Sequence, residues 1–442
     1  MKNYLLVVFA ALLMFACQSK QEVTVNFTVV DKDYEPVGLA LEKTDTMFTL
    51  AADGKGSLIV PLKEAQYGMI SYKWKQVPVY LEPGQSLNVK WDMTPSGLEV
   101  YFEGEAAKIN TYMNDKSLKQ PLMGDFGLDE EEFVKKMDAY VAEDYKILES
   151  KGFNKTFVEK EKKRIDYMVY GILWQYGRKD NLSEGFYDKI KQLMVEEEWM
   201  LQLSEYTNFM LGAINTLSCR DLDVENLDPL DETMRQLNYA VANLKNPVIR
   251  EFVIATNACS YIDQEGVDDA AEVKKIFEEN VKDPQMVSVF NNLYAEGSTI
   301  TKGKKTIGFN LEDVNGKMVN LNDFAGKYVY IDFWATWCGP CREELPHMQR
   351  LIEAFTGTNI AFVGISLDSS KEAWSKVVKD EKMGGIQLYG GAENEFAKSL
   401  RVSGIPRFVL LDTEGKIVEA NMSRPSEEKT LEYLGMLAEP LE

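Results

Sequence analysis

The chain has a single histidine, His347, and five cysteines in 442 residues. Both scarcities exclude chemistry. A zinc site on Cys338-Gly-Pro-Cys341 would need two more ligands at finger-like spacing. His347 is nine residues past Cys338, about half a turn out of phase and about 13 Å along a helix axis, so it is a poor co-ligand for such a site. Covalent haem attachment requires His directly after the second cysteine, and Arg342 stands there. No metal and no cofactor are therefore expected. Basic residues are also short: 49 Lys and Arg face 70 Asp and Glu, a net charge of −21. Nucleic acid and anionic lipid are held by basic surfaces, so neither is an expected electrostatic partner. Residues 301–442 carry 17 basic and 21 acidic side chains, which leaves −17 on the first 300, read as solvated helix faces. The apolar run Leu5 to Phe15 behind Lys2 is too short to span a bilayer and reads as an export signal. A hydrophobic content of 45% supports packed cores rather than disorder.

The stretch from Tyr328 to His347 organises the rest. Residues 328–333 are apolar or β-branched apart from Asp332, the pattern of a strand buried on both faces. Beyond Cys338 the period changes, with Leu345, Met348, Ile352 and Phe355 recurring every three or four residues as on an amphipathic helix. Cys338 thus sits at a strand-to-helix junction. The first helical amides there lack intrahelical partners and carry the positive end of the dipole, which favours a thiolate. Pro340 gives up no needed N–H and presets the helical φ. Cys341 lies one turn down the same face, within disulfide reach. Cys338 is accordingly the expected attacking thiolate and Cys341 the resolving thiol. A purely structural disulfide is the bland alternative.

The segment Ile331-Asp-Phe-Trp-Ala-Thr-Trp-Cys-Gly-Pro-Cys341 resembles the active-site segment of thioredoxins. Its flanks, Leu321-Asn-Asp-Phe-Ala-Gly-Lys327 and Arg342-Glu-Glu-Leu-Pro346, resemble the TlpA/ResA-type membrane-tethered thiol-disulfide oxidoreductases. The likeness covers roughly residues 303–442. It implies a thioredoxin fold and a reductant of protein disulfides, with a disulfide-containing protein as substrate and a membrane-side electron donor. Gly404-Ile-Pro406 matches the motif whose proline is cis and faces the cysteines, so Ile405 and Pro406 are expected to bind substrate together with Trp337, Gly339 and Pro340. Asp332 matches the buried acid beneath thioredoxin cysteines, where burial would raise its pKa and suit proton exchange with Cys341. Glu344 matches the acid of ResA-type proteins. Ala16 before Cys17 resembles the processing site of bacterial lipoproteins, which implies lipidation at Cys17, a membrane anchor, and a location in the periplasm or on the outer face of a bacterial membrane. Two other readings stand beside this one. The region also resembles the peroxiredoxin-like superfamily, although a peroxidase threonine three residues before the cysteine is here Ala335, with Thr336 one place later. Alternatively, residues 18–300 carry a binding or assembly role and the oxidoreductase domain is accessory.

The expected architecture is multidomain: signal peptide 1–16, a small antiparallel β-sandwich over 17–105, an irregular all-α region over 106–300, and an α/β thioredoxin fold over 301–442. Val23, Val25, Phe27 and Val29 alternate with polar residues as in a half-buried strand, and further short β runs follow to Phe102. This part is similar to an uncharacterised β domain found ahead of anchored oxidoreductases. From Ala106 to Ser298 glycine and proline are sparse and the period is helical, with stripes such as Phe133, Met137, Tyr140, Val141 and Leu148. Cys219 and Cys259 lie on separate predicted helices, either as buried free thiols or as a structural disulfide. Lys302-Gly-Lys-Lys305 reads as a linker. Beyond it come a hairpin with strands at 307–311 and 317–321, the redox strand and helix, and a strand over 360–366. A helix capped by a box at Ser369-Ser-Lys-Glu372, a strand over 386–389, a short helix near Asn394, a hairpin around Thr413-Glu-Gly415 and a final helix complete the order.

Overall fold

The computed structural model describes residues 22–441 apart from 32–33, 42–43, 95–96, 116–117, 180, 221 and 224–226. The expected signal peptide and Cys17 lie outside the described residues. The chain divides into two compact units, Met1–Leu217 and Ser218–Glu442, so the helices between 106 and 300 are shared between them.

In the first unit two four-stranded sheets face one another. One places Lys55–Pro61, Glu22–Val30, Ser86–Thr94 and Gly97–Glu103 side by side; the other places Thr44–Phe48, Val37–Leu41, Gln66–Tyr72 and Lys75–Leu81. Period-2 alternation buries Val23, Val25, Phe27 and Val29 on one face, where they meet Leu39, Ile70, Val79 and Trp91 in a common core. The pairing is antiparallel throughout except between Glu22–Val30 and Ser86–Thr94, which run parallel; an all-antiparallel sheet was expected. Helix Glu130–Ser150 starts at Asp129, whose carboxylate accepts from the Glu132 N–H, and ends before Gly152, whose φ of 65° a β-carbon would oppose. It buries Phe133, Met137, Val141 and Leu148 of the stripe read from the sequence, while Tyr140, at its edge, is half-buried.

In the second unit, three helices share one start signal. Asp228, Asn246 and Asp283 each accept backbone N–H bonds at a cap followed by proline, giving Pro229–Asn243, Pro247–Glu265 and Pro284–Gly297. The last of these was not singled out by its apolar spacing. A seven-stranded sheet follows, in the spatial order Met318–Asn320, Asn310–Asp313, Ile386–Tyr389, Ile360–Ser366, Tyr328–Trp334, Arg407–Leu411, Ile417–Met422. Within it Tyr328–Trp334, an interior strand, is parallel to Ile360–Ser366 and antiparallel to Arg407–Leu411. Enclosure on both sides explains a run that is apolar but for Asp332. Two expectations are corrected. The first hairpin strand begins at Asn310 rather than residue 307, because Ile307 is exposed and Gly308 has a positive φ. The helix Lys371–Asp380 is capped by Ser370, whose hydroxyl accepts from the Ala373 N–H, rather than by Ser369.

Candidate active site

The buried strand Tyr328–Trp334 delivers the chain to a three-residue loop, Ala335-Thr336-Trp337, and the helix Gly339–Ala354 begins directly after Cys338. Cys338 is the helix cap, and its Sγ accepts the Cys341 N–H at 3.2 Å. Backbone donors at the positive end of a helix thus point at this sulfur, which stabilises negative charge on it. Pro340 occupies the first turn. Cys338 and Cys341 are joined in a disulfide, their Cα atoms 5.3 Å apart. Cys341 is 1% exposed and Cys338 5%, so Cys338 is the sulfur an incoming group reaches first.

Across the disulfide, the Ile405–Pro406 peptide is cis and places the Ile405 carbonyl oxygen 3.7 Å from the Cys338 Sγ. Beneath it the two sulfurs pack with Trp334, Trp374, Val378 and Ile405 in a small apolar cluster that keeps water from the buried side. Trp337 points the other way and is 70% exposed, while Gly339 and Pro340 are exposed beside it. The sequence-predicted residues Trp337, Cys338, Gly339, Pro340, Cys341, Ile405 and Pro406 are therefore brought together.

Asp332 is buried on the strand Tyr328–Trp334. Burial and then the nearby Glu344 carboxylate push its pKa up from 3.8 to about 8, since neither a low-dielectric site nor a like charge tolerates the anion. Its Oδ1 is buried with no hydrogen-bond partner among the described residues. Glu344 is also buried, but it is well served: the Ser426 N–H donates at 3.0 Å and the Ser426 hydroxyl at 2.9 Å, and the Arg424 Nη1 lies 3.9 Å away. The two acids thus have different surroundings, one buried with an unpartnered Oδ1 among the described residues, the other held from the loop before helix Glu428–Leu437. His347 is further along the redox helix beside Arg350, and Glu343 is exposed. Cys219 and Cys259 are free thiols, each with its pKa raised by burial, which disfavours reactivity.

Sequence reasoning missed Asp368. This buried carboxylate accepts the Thr336 N–H at 3.0 Å, the Thr336 hydroxyl at 2.7 Å and the Ser366 hydroxyl at 2.7 Å, so it fixes the loop that carries Trp337 and Cys338. The available signal was Ser366-Leu-Asp368, polar residues closing an otherwise apolar strand. Asp368→Ala leaves three donors without this acceptor and is expected to cost about 2–4 kcal/mol of stability in denaturant unfolding. A loss below about 0.5 kcal/mol would mean that the loop does not depend on it.

Comparison with known proteins adds the following. Residues 302–420 match the AhpC/TSA family. The chain is 28% identical over 150 residues to the thiol-disulfide oxidoreductase ResA of Bacillus subtilis, covering 34% of this chain and 83% of that one. Among solved structures, a candidate thiol-disulfide oxidoreductase from Bacteroides vulgatus is 47% identical, with 32% of this chain and 92% of that chain covered and a TM-score of 0.29. A thiol-disulfide oxidoreductase from Bacteroides fragilis is 29% identical, with 30% and 99% covered and a TM-score of 0.28.

Proposed function

We propose that this chain, whose C-terminal part is a thioredoxin-like domain with thiol-disulfide oxidoreductases among its homologues, reduces disulfides of protein substrates through Cys338 and Cys341. The observation that carries the reading is a disulfide closed at a helix N-terminus against the Ile405–Pro406 turn. In the reduced enzyme the Cys338 thiolate attacks one substrate sulfur, a mixed disulfide forms, and the other substrate sulfur leaves as a thiolate. The Cys341 thiolate then attacks the Cys338 Sγ, the Cys338–Cys341 bond closes, and the second substrate thiolate is released. Two electrons pass to the substrate, and its two sulfurs take up protons. Asp332, with its pKa pushed up to about 8, is suited to exchange a proton with Cys341 as the mixed disulfide resolves. Glu344 shares the buried negative field, and Trp337, Gly339, Pro340, Ile405 and Pro406 hold the substrate segment, with the Ile405 backbone offering strand-like hydrogen bonds.

The wider reading is part of the same proposal. Residues 1–16 are an export signal and Cys17 carries a lipid, so the enzyme works on the outer side of a bacterial membrane and draws electrons from a membrane-side donor. The β-sandwich (17–105), the helical region (106–300) and the redox domain (301–442) are its working parts. The residue pattern at Lys2, Leu5–Phe15 and Ala16-Cys17 supports this. Among the described residues no helix is long and apolar enough to cross a membrane. A thiol peroxidase is disfavoured, because Ala335 stands at the threonine position and the Thr336 hydroxyl is engaged by Asp368. The binding or assembly reading predicts no turnover.

The direction of transfer is tested by equilibrating the dithiol with a redox buffer. Gly339-Pro340 between the cysteines favours a reducing potential, near the thioredoxin value of about −270 mV. A value near the about −120 mV of DsbA would make the protein an oxidant.

A further inference from the structure

A groove of about 780 Å³ opens beside the cis proline, and only part of it belongs to the seven-stranded domain. One wall is Gly404 and Pro406, continuing through Arg424. The other is built by helix ends that precede that domain in the chain: Asp228, which caps helix Pro229–Asn243, and Gln264 and Glu265, which end helix Pro247–Glu265.

The two walls are fastened together. Terminal carbonyls of a helix lack intrahelical donors, and here side chains supply them. The Gln264 carbonyl accepts from the Arg407 Nη1 at 3.1 Å and from the Asn421 Nδ2 at 2.7 Å, while Asn421 also donates to Glu265 at 3.1 Å. Arg401, which opens the loop leading to Pro406, lies within 3.6 Å of Asp263 and 3.5 Å of Glu296. The loop carrying the cis proline is therefore braced by helices on both of its flanks.

Charge decides what such a groove accepts. Among the described residues five carboxylates and three cations line it. Arg407 is committed to the Gln264 and Ala420 carbonyls, and Lys429 is paired with Glu427 at 2.7 Å. Arg424, at the end nearest Glu344, lies 3.9 Å from that carboxylate, so each of the three described cations already faces a protein acceptor or carboxylate. A small anionic thiol would meet net negative charge, whereas a polypeptide segment held at the Ile405–Pro406 turn has this groove beside it, since Gly404 and Pro406 line it.

We infer that the helix ends at Asp228 and Glu265 form the second wall of the substrate groove, and that the groove takes an extended polypeptide segment that is neutral or basic next to its disulfide. This rests on the reading of the chain as a disulfide reductant. During turnover the reduced dithiol gives two electrons to the segment's disulfide, whose two sulfurs leave as protonated thiols, and the Cys338–Cys341 bond closes.

The test uses the full chain, reduced beforehand, mixed at pH 8 with two synthetic peptides that each hold one internal disulfide. They differ only in having Lys or Glu at the positions flanking it. The Lys peptide is expected to be reduced about tenfold faster at low salt, with the ratio falling toward one in 0.5 M salt as screening sets in. The acidity of the whole chain also favours the Lys peptide, so the double variant Asp228→Asn/Glu265→Gln isolates the groove. It keeps the cap and the Asn421 contact but removes two charges, and should cut the ratio about threefold or more. A ratio near one in the native chain, a ratio the double variant leaves untouched, or oxidised glutathione reduced as fast as the Lys peptide would each overturn the inference. Failure to reduce either peptide would instead overturn the reductase reading on which it rests.

Discussion

Asp332→Asn is expected to be more stable than the native chain at pH 9, by an amount on the order of 5 kcal/mol, and the difference should shrink as the pH falls toward 4. The sign follows from protonation. Folding raises the Asp332 pKa from 3.8 to about 8, chiefly through burial and then through Glu344. The folded state therefore holds this proton over a range in which the unfolded chain has released it. Stability from that proton is fully present below pH 3.8 and is lost as the pH rises through about 8. Asparagine is neutral at every pH and fills the same space. Denaturant unfolding of both oxidised proteins at pH 4, 6.5 and 9 checks this, and parallel pH profiles would show that Asp332 is not the buried proton reservoir.

Cys338→Ser should lower the rate of insulin disulfide reduction with dithiothreitol as donor by at least about 10³-fold, because a serine hydroxyl is not ionised near neutral pH whereas a cap-stabilised thiolate is. Cys219→Ser should leave the rate within about twofold, since that thiol is buried and its pKa is raised by burial. Loss of less than tenfold in Cys338→Ser would place the nucleophile elsewhere.

The redox site was legible because its parts are local in sequence. The change of period at Cys338, the Pro340 start signal and the Gly404-Ile-Pro406 motif are each contained in a few residues, and the structure places the cysteines and the cis peptide where the spacing and the resemblance put them. Asp368 was not legible, because its importance lies in Thr336, 32 residues earlier and on the neighbouring strand's exit. The groove wall was invisible for the same reason: nothing in Asp228 or Glu265 announces that the chain returns to them at Arg407 and Asn421. In the first unit, the parallel pairing of Glu22–Val30 with Ser86–Thr94 could not be read from alternation, which sets the buried face of a strand but not the direction of its neighbour. Helix Pro284–Gly297 was overlooked because few of its side chains are buried, so its Asp283-Pro284 cap carried more signal than its apolar spacing.

The central claim, that Cys338 attacks protein disulfides and Cys341 resolves the product, is tested most directly by expressing Cys341→Ser in its native cell envelope and separating the proteins without reductant. The account predicts discrete disulfide-linked adducts that identify the substrates, disappear on reduction, and are absent from Cys338→Ser/Cys341→Ser. An envelope with no adduct above that double variant would contradict it.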